Sequence, residues 1–371
     1  MPPQPSLFVN KTRRDFRVPS NTLKRLELNY STKASIFLLA VLCIILLGGD
    51  AIDDLFHHDL ALQPPQYSNS CSVRFKSNKM GLCYFIPYQG NFGDELGPAA
   101  VDRILEQHFQ CTSSIRKLDL HNGAIDAQRH RDGTTCLFSL GSIFHTIKSG
   151  DHVWGTGINP YWQNKQSTYP SGLTIYSVRG PKTEALVRQH MGQQQTIPHG
   201  DPGFVVPMLY PELTSRKRRS PQGSHRFCFV PHFHDLHRAQ QDLPRKVRFV
   251  SAHQSWRPVV KTLARQCDFV AASSLHGIIV ADALGIPSMW FQWTDTMTAK
   301  SEGHFKYLDY LASIERTIRI PESDLSQIVN ANAYSPALDI IARQSIFNRT
   351  LASFPFHLFE AVPKNGATGI Y

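Results

Sequence analysis

From about residue 80 onward the chain repeats one pattern: a short apolar run, a break carrying glycine, then apolar residues at helical spacing. Leu82-Cys83-Tyr84-Phe85-Ile86 predicts a buried strand, broken by Gly90-Asn91-Phe92-Gly93-Asp94. Pro98 to Phe109 then sets Ala99, Val101, Ile104, Leu105 and Phe109 on one helical face. Thr135 to Leu140 is the next strand, ending at Gly141-Ser142, and Val153-Trp154-Gly155-Thr156-Gly157 follows. Leu173 to Val178 ends at Arg179-Gly180-Pro181, and Pro181 suits the first turn of a helix over Lys182 to His190.

Around Thr214 to Arg226 the pattern gives way to a basic, loop-like stretch, read as a linker over 214–226. It resumes with Phe227 to Val230, then Pro231-His232, a strand over Lys246 to Ser251 and a helix over Pro258 to Gln266. Phe269 to Ala272 ends at Ser273-Ser274-Leu275-His276-Gly277, followed by a helix over Ile278 to Leu284 and a strand over Ile286 to Trp290. Beyond Lys300 the chain is helical and mixed. Short apolar strands alternating with helices predict an α/β fold with mostly parallel sheets. The two stretches give an N-terminal α/β lobe over 79–213 and a C-terminal α/β lobe with a helical end over 227–371.

Ahead of this region, residues 34–50 contain about sixteen residues without a charge, roughly 24 Å of helix. Lys11, Arg13, Arg14, Arg17, Lys24, Arg25 and Lys33 precede the run, and Asp50, Asp53, Asp54 and Asp59 follow it. This asymmetry predicts a signal anchor, with residues 1–33 as a cytosolic basic tail and residues 51–78 as a lumenal stem. The tail carries seven basic residues and two acidic ones, hence +5 of the total +10. The remaining +5 is spread over more than 300 residues, so a general nucleic-acid surface is not expected. Of seven cysteines, Cys43 lies in the span; Cys71, Cys83, Cys111, Cys136, Cys228 and Cys267 can form lumenal disulfides, whose pairing the spacing does not fix. Asn348-Arg349-Thr350 is a sequon on the lumenal side, whereas those at Asn10 and Asn29 fall on the cytosolic side.

In doubly wound sheets, ligands bind at the carboxyl ends of strands. The punctuated turns at 90–94, 141–142, 155–157, 179–181, 200–202 and 273–277 all fall there, giving a cleft with helix N-termini facing an anionic ligand. His232, His234, Asp235 and His237 have spacing that metal ligands use, but no metal is expected.

The ordered motifs NFGDEL, FSLGSI, VWGTGI, SVRGP, GDPG, VPH and SSLHGIIVADALGIP resemble the polysaccharide pyruvyltransferase family from about Gly81 to Trp293. The resemblance implies two Rossmann-like lobes similar to B-type glycosyltransferases, preceded here by one N-terminal transmembrane helix. It implies transfer of pyruvate from phosphoenolpyruvate to sugar hydroxyls as a ketal, with phosphate released and no cofactor. A lumenal single-span member resembles Golgi enzymes that modify galactose on N-glycans, which implies a Golgi or endoplasmic reticulum membrane protein. Many members carry Ser-Arg-Leu-His-Gly at the last motif; here Ser274 stands at the arginine position, leaving Arg179 or Arg257 to supply that charge. A sugar-nucleotide-dependent glycosyltransferase of the same architecture and an inactive glycan-binding relative are the alternatives.

Protonation of the enol carbon requires a general acid, for which histidine is suited. On this reading His276 is the acid and Asp94 orients or deprotonates the acceptor, unless it serves only as a helix N-cap. Arg179, Ser274, Ser142, Asn91 and His232 bind the donor, and Trp154 and Trp293 offer faces to the acceptor sugar. Trp290, Tyr161 and Trp162 are further aromatic candidates.

Overall fold

The structure is a computed structural model describing residues 66–160, 170–191, 195–214, 225–293, 304–317 and 320–364. The tail, the span over 34–50, most of the stem and of the basic linker, Cys43, Asn10, Asn29, Tyr161 and Trp162 lie outside the described residues. Among the described residues no helix is long and apolar enough to cross a membrane.

In chain order the first half contains β1 (Ser68–Phe75), β2 (Met80–Tyr84), α1 (Phe92–Phe109), β3 (Cys111–Ser113), β4 (Lys117–Asp119) and α2 (Gly123–Asp132). It continues with β5 (Thr135–Phe138), β6 (His152–Trp154), β7 (Thr174–Ser177) and α3 (Pro181–Met191). Five of its strands form a sheet of order β4-β2-β5-β6-β7, every neighbouring pair parallel. The second half contains β8 (Phe227–Val230), α4 (Leu236–Asp242), β9 (Val247–Phe249), α5 (Trp256–Gln266), β10 (Phe269–Ala272) and α6 (Leu275–Ala283). After these come β11 (Ser288–Trp290), α7 (Phe305–Ser313), α8 (Ile340–Ala352) and β12 (Phe359–Pro363). Its sheet has order β11-β10-β8-β9, again all parallel. Parallel strands covered on both faces read as continuous apolar runs, and β8 accordingly buries all four of its residues.

A third sheet, β12-β1-β3, departs from the sequence reading. Residues 68–75 were expected to end a polar stem, yet they pair antiparallel with β12 and parallel with β3. Val73 and Phe75 point into the core, while Arg74 between them faces Glu360 at 2.9 Å. A strand buried on one face only, and rich in serine, carries too little apolar signal to be seen alone.

Helix α1 begins at Phe92, not Pro98. Asn91 is its N-cap, with Oδ1 accepting from the Gly93 amide at 3.1 Å. The early glycines and Pro98 read as breakers, but tertiary packing overrides that preference. Helix α5 packs against α1 and fully buries Val259, Val260 and Leu263, each contributing about 2 kcal/mol. The first amide of α5, at Trp256, donates to Glu95 Oε2 of α1 at 3.0 Å. A side chain from the first half thus caps a helix of the second and fixes where α1 begins relative to it.

The six cysteines outside the expected span pair as Cys71–Cys111, Cys83–Cys136 and Cys228–Cys267. The first two join neighbouring strands, and the third ties β8 to the residue just after α5. Replacing Cys228 and Cys267 by serine, opening a link across 39 residues, is expected to lower stability by about 2–4 kcal/mol. Urea unfolding of the full-length protein checks this, and an unchanged midpoint would show that the bridge constrains nothing.

Candidate functional site

The loops leaving the carboxyl ends of β2, β5, β7, β8 and β10 converge, and α7 closes the group. Gly93, in the first turn of α1, lies against the His276 ring so closely that a Cβ there would sit 2.0 Å from Nδ1. Only glycine lets the two elements meet. The same holds at Gly157, where a Cβ would be 2.2 Å from the Arg179 guanidinium carbon. Its glycine thus serves close approach as well as turn formation.

His276 is the second residue of α6, which starts at Leu275, three residues before the position expected from sequence. Its side chain is buried, and burial, Arg179 and Lys306 together push the imidazole down to about 3. The ring is therefore neutral in the unliganded protein. His232, after β8, is likewise held well below the ordinary histidine value by burial, then by Lys306, His234 and His276. Lys306 Nζ on α7 lies 3.3 Å from His232 Nε2.

Arg179 does not present an open guanidinium. It is 1% exposed; Nε donates to Asp309 Oδ2 at 3.2 Å, one terminal nitrogen to Ser142 Oγ at 2.7 Å and the other to the Ile158 carbonyl at 3.3 Å. Its charge reaches the cleft through Ser142 and through space. Asp309 also accepts from the Lys182 and Thr183 amides at 2.9 and 3.0 Å, capping α3. Asp201 of the GDPG motif lies near this pair, and burial raises its carboxyl to about 6 against the pull of Arg179. Also from α7, Tyr307 donates to the Ser273 carbonyl at 2.6 Å and Tyr310 to Asp282 Oδ2 at 3.1 Å. Helix α7 therefore fastens the ends of both parallel sheets and carries Lys306 between them.

Asp94 is in the first turn of α1 and is not the N-cap; Asn91 Nδ2 donates to its Oδ2 at 2.8 Å. Its Oδ1 lies 3.9 Å from where a Cβ on Gly141 would be, next to Ser142. Ser274 is the residue ahead of α6, buried, with its hydroxyl making no capping bond. Ser273 holds the turn: its Oγ accepts from the His232 amide at 2.9 Å and donates to Asp235 Oδ2 at 2.8 Å. Among the described residues no group of three or more His, Cys, Asp or Glu side chains is placed to hold a metal ion.

The structure thus gathers Asn91, Asp94, Ser142, Arg179, His232, Ser274 and His276, but not the tryptophans. Trp154 is fully buried, its indole N–H donating to the Thr350 carbonyl at 3.2 Å and to Ser353 Oγ at 3.1 Å. Trp293 packs among Phe229 and Phe291, with ring centroids 5.5 and 4.9 Å away, under the Arg238 guanidinium. Both are core residues, so neither offers a face to a sugar. Trp290 stacks on Tyr307 at 4.4 Å. Arg257 lies over the rings of Tyr210 and Trp256, so the cation that joins Arg179 at the cleft is Lys306. Sequence reasoning missed Lys306. The only local signal is that Lys306, Asp309 and Tyr310 share a helix face, which says nothing about the neighbour that face meets.

Comparison with known proteins agrees with the motif order. The chain is 26% identical over 239 residues to the uncharacterized protein L143 of Acanthamoeba polyphaga mimivirus, covering 60% of this chain and 78% of that one. It is 25% identical over 272 residues to the succinoglycan biosynthesis protein ExoV of Rhizobium meliloti strain 1021, covering 70% and 74%. Among solved structures it is similar to an H444N variant of the wall teichoic acid polymerase TagF, at 9% identity and a TM-score of 0.37, covering 89% of this chain and 93% of that one. It is also similar to the E. coli ADP-heptose heptosyltransferase II, at 11% identity and a TM-score of 0.27, covering 74% and 98%. The sequence model described as polysaccharide pyruvyl transferase matches residues 91–295, from the N-cap of α1 to just beyond β11, and so takes in the cleft turns that follow β5, β7, β8 and β10. With that match spanning more than half its length, the chain belongs to the polysaccharide pyruvyl transferase family and is a glycan-modifying transferase.

Proposed function

We propose that the cleft moves pyruvate from phosphoenolpyruvate onto two hydroxyls of a glycan residue, galactose or a related sugar, releasing phosphate and leaving a cyclic ketal. The observation that carries this reading is the packing of His276 against Gly93 at the N-termini of α6 and α1, within the field of two cations, Arg179 and Lys306. A donor bearing a carboxylate and a phosphate matches that field.

In this reaction a proton adds to C3 of the enol, and C2 becomes electrophilic. One sugar oxygen attacks C2 and releases its proton. The C2–O bond to phosphate then breaks with its electron pair, and the second hydroxyl closes the ketal. One proton is taken up at C3 and two leave the hydroxyls; the surplus departs with phosphate. His276 delivers the first proton once the bound donor has offset the charges of Arg179 and Lys306, which with burial, the larger cause, hold the free imidazole neutral. Asp94, oriented by Asn91, receives the proton of the attacking hydroxyl. Lys306 and Ser274 contact the donor, His232 positions Lys306, and Arg179 acts through Ser142.

The overall architecture is read as that of B-type glycosyltransferases. The three disulfides favour an oxidising compartment, and Asn348 of the lumenal sequon is exposed on α8. Together with the span expected over 34–50, they support a single-pass Golgi or endoplasmic reticulum protein whose catalytic part is lumenal.

The test is phosphate release from phosphoenolpyruvate by the full-length protein with a β-galactoside, with the product mass checked for a ketal. Release should require both substrates, and Lys306→Met should raise the donor KM about ten- to a hundredfold, the worth of a charged hydrogen bond, without altering the acceptor KM. Silence across a panel of acceptors, with tight binding of a sugar nucleotide, would move the protein to the glycosyltransferase reading.

A further inference from the structure

With Trp154 and Trp293 in the core, the acceptor needs another aromatic surface, and the loop between β2 and α1 carries one. Tyr88 is 92% exposed, the most open of the large apolar side chains among the described residues. An isolated exposed tyrosine means little, but this one is held in place. The Gly90 amide donates to the Pro87 carbonyl at 2.8 Å, closing the turn, and the Phe92 amide donates to Ala252 of the second half at 2.9 Å. Asp119 Oδ1 accepts from the amides of Ile86 at 3.3 Å and His121 at 3.0 Å, joining this loop to the one after β4. The His121 ring meets Tyr88 edge-on at 4.3 Å and Phe85 at 5.0 Å. Phe85 and Asp94 in turn line one small crevice with Ser139 and Ile143. A braced aromatic strip therefore runs from solvent to Asp94.

We propose that Tyr88, braced by His121, is the platform on which a pyranose of the acceptor stacks, with Phe85 continuing the strip toward Asp94. A pyranose has an apolar C–H face and polar edges. A tyrosine offers a matching flat face at low entropic cost, with a hydroxyl for the ring edge. This inference rests on reading the cleft as a glycan-modifying site, and it adds the subsite that holds the acceptor.

The experiment measures binding of methyl glycosides of galactose, glucose and mannose to the full-length protein by calorimetry, alongside steady-state kinetics with phosphoenolpyruvate. Tyr88→Ala should weaken the preferred glycoside, and raise its KM, about tenfold, with the donor KM and thermal midpoint unchanged; Tyr88→Phe and Tyr88→Trp should retain most of the binding. Wild-type acceptor parameters in Tyr88→Ala, with pyruvyl transfer intact, would overturn the platform while leaving the catalytic reading standing. Glycoside binding that is lost in Tyr88→Ala, in a protein that never consumes phosphoenolpyruvate, would support the platform and sink the donor assignment instead.

Discussion

His276→Ala should lower the pyruvyl transfer rate by about two to four orders of magnitude, the usual worth of a positioned acid or base. The loss should fall on kcat, with the donor KM changing little, because Lys306 and Ser142 remain. The pH profile separates this role from a merely structural one. In the free protein the imidazole sits at about 3, held there by burial, Arg179 and Lys306, so almost none of it is charged at neutral pH. On the proposed reading, bound phosphoenolpyruvate places its carboxylate and phosphate against the same two cations. That removes much of the repulsion and raises the pKa in the complex. An acid works only while protonated, so kcat should fall as pH rises through this raised value. That alkaline limb should vanish from the residual activity of His276→Gln. A full-rate His276→Ala, or an unchanged limb in His276→Gln, would remove His276 from the chemistry.

Asp309→Asn is expected to cost about 3–5 kcal/mol of stability, because it leaves the Arg179 guanidinium buried without its counter-charge. One carboxylate oxygen accepts two backbone amides of α3; the other accepts from Arg179 and from Thr183 Oγ1 at 2.6 Å. In either orientation an asparagine turns an NH2 group toward donors. Replacing Arg179 by methionine in the same chain should recover part of the loss, since an apolar side chain of similar size needs no partner. Urea unfolding of the single and double variants measures both. Equal stability of Asp309→Asn and wild type would mean that the pair is not what joins α7 to α3. The same substitution should weaken catalysis even where the protein stays folded, because α7 positions Lys306.

Much of the site was legible because each of its loops follows a short apolar strand and carries a break: Asn91 to Asp94, Gly141-Ser142, Arg179 and Ser274 to His276 could all be named from the sequence. The errors have separate physical causes. Trp154 and Trp293 looked available for a sugar because residue type does not report burial, and in the fold they fill the core. For Asp94, read as acting on the acceptor, a mere cap stayed open as the alternative because glycine and proline obscured the start of α1. Arg257 looked suited to replace the charge absent at Ser274, but its neighbours are Tyr210 and Trp256.

The sequence by itself determined the alternation of buried strands and helices, hence the parallel α/β fold, and the order of motifs that marks the family. Both are properties of neighbouring residues: backbone hydrogen bonding and burial set the period of each element, and strand-to-helix turns gather at one end of a parallel sheet. Only the tertiary structure decided the cysteine pairing, the return of β12 to β1, and the approach of Lys306 to His232 across 74 positions. These depend on which faces meet when elements pack. No local period encodes that, because an amphipathic helix presents an apolar face that several partners could cover.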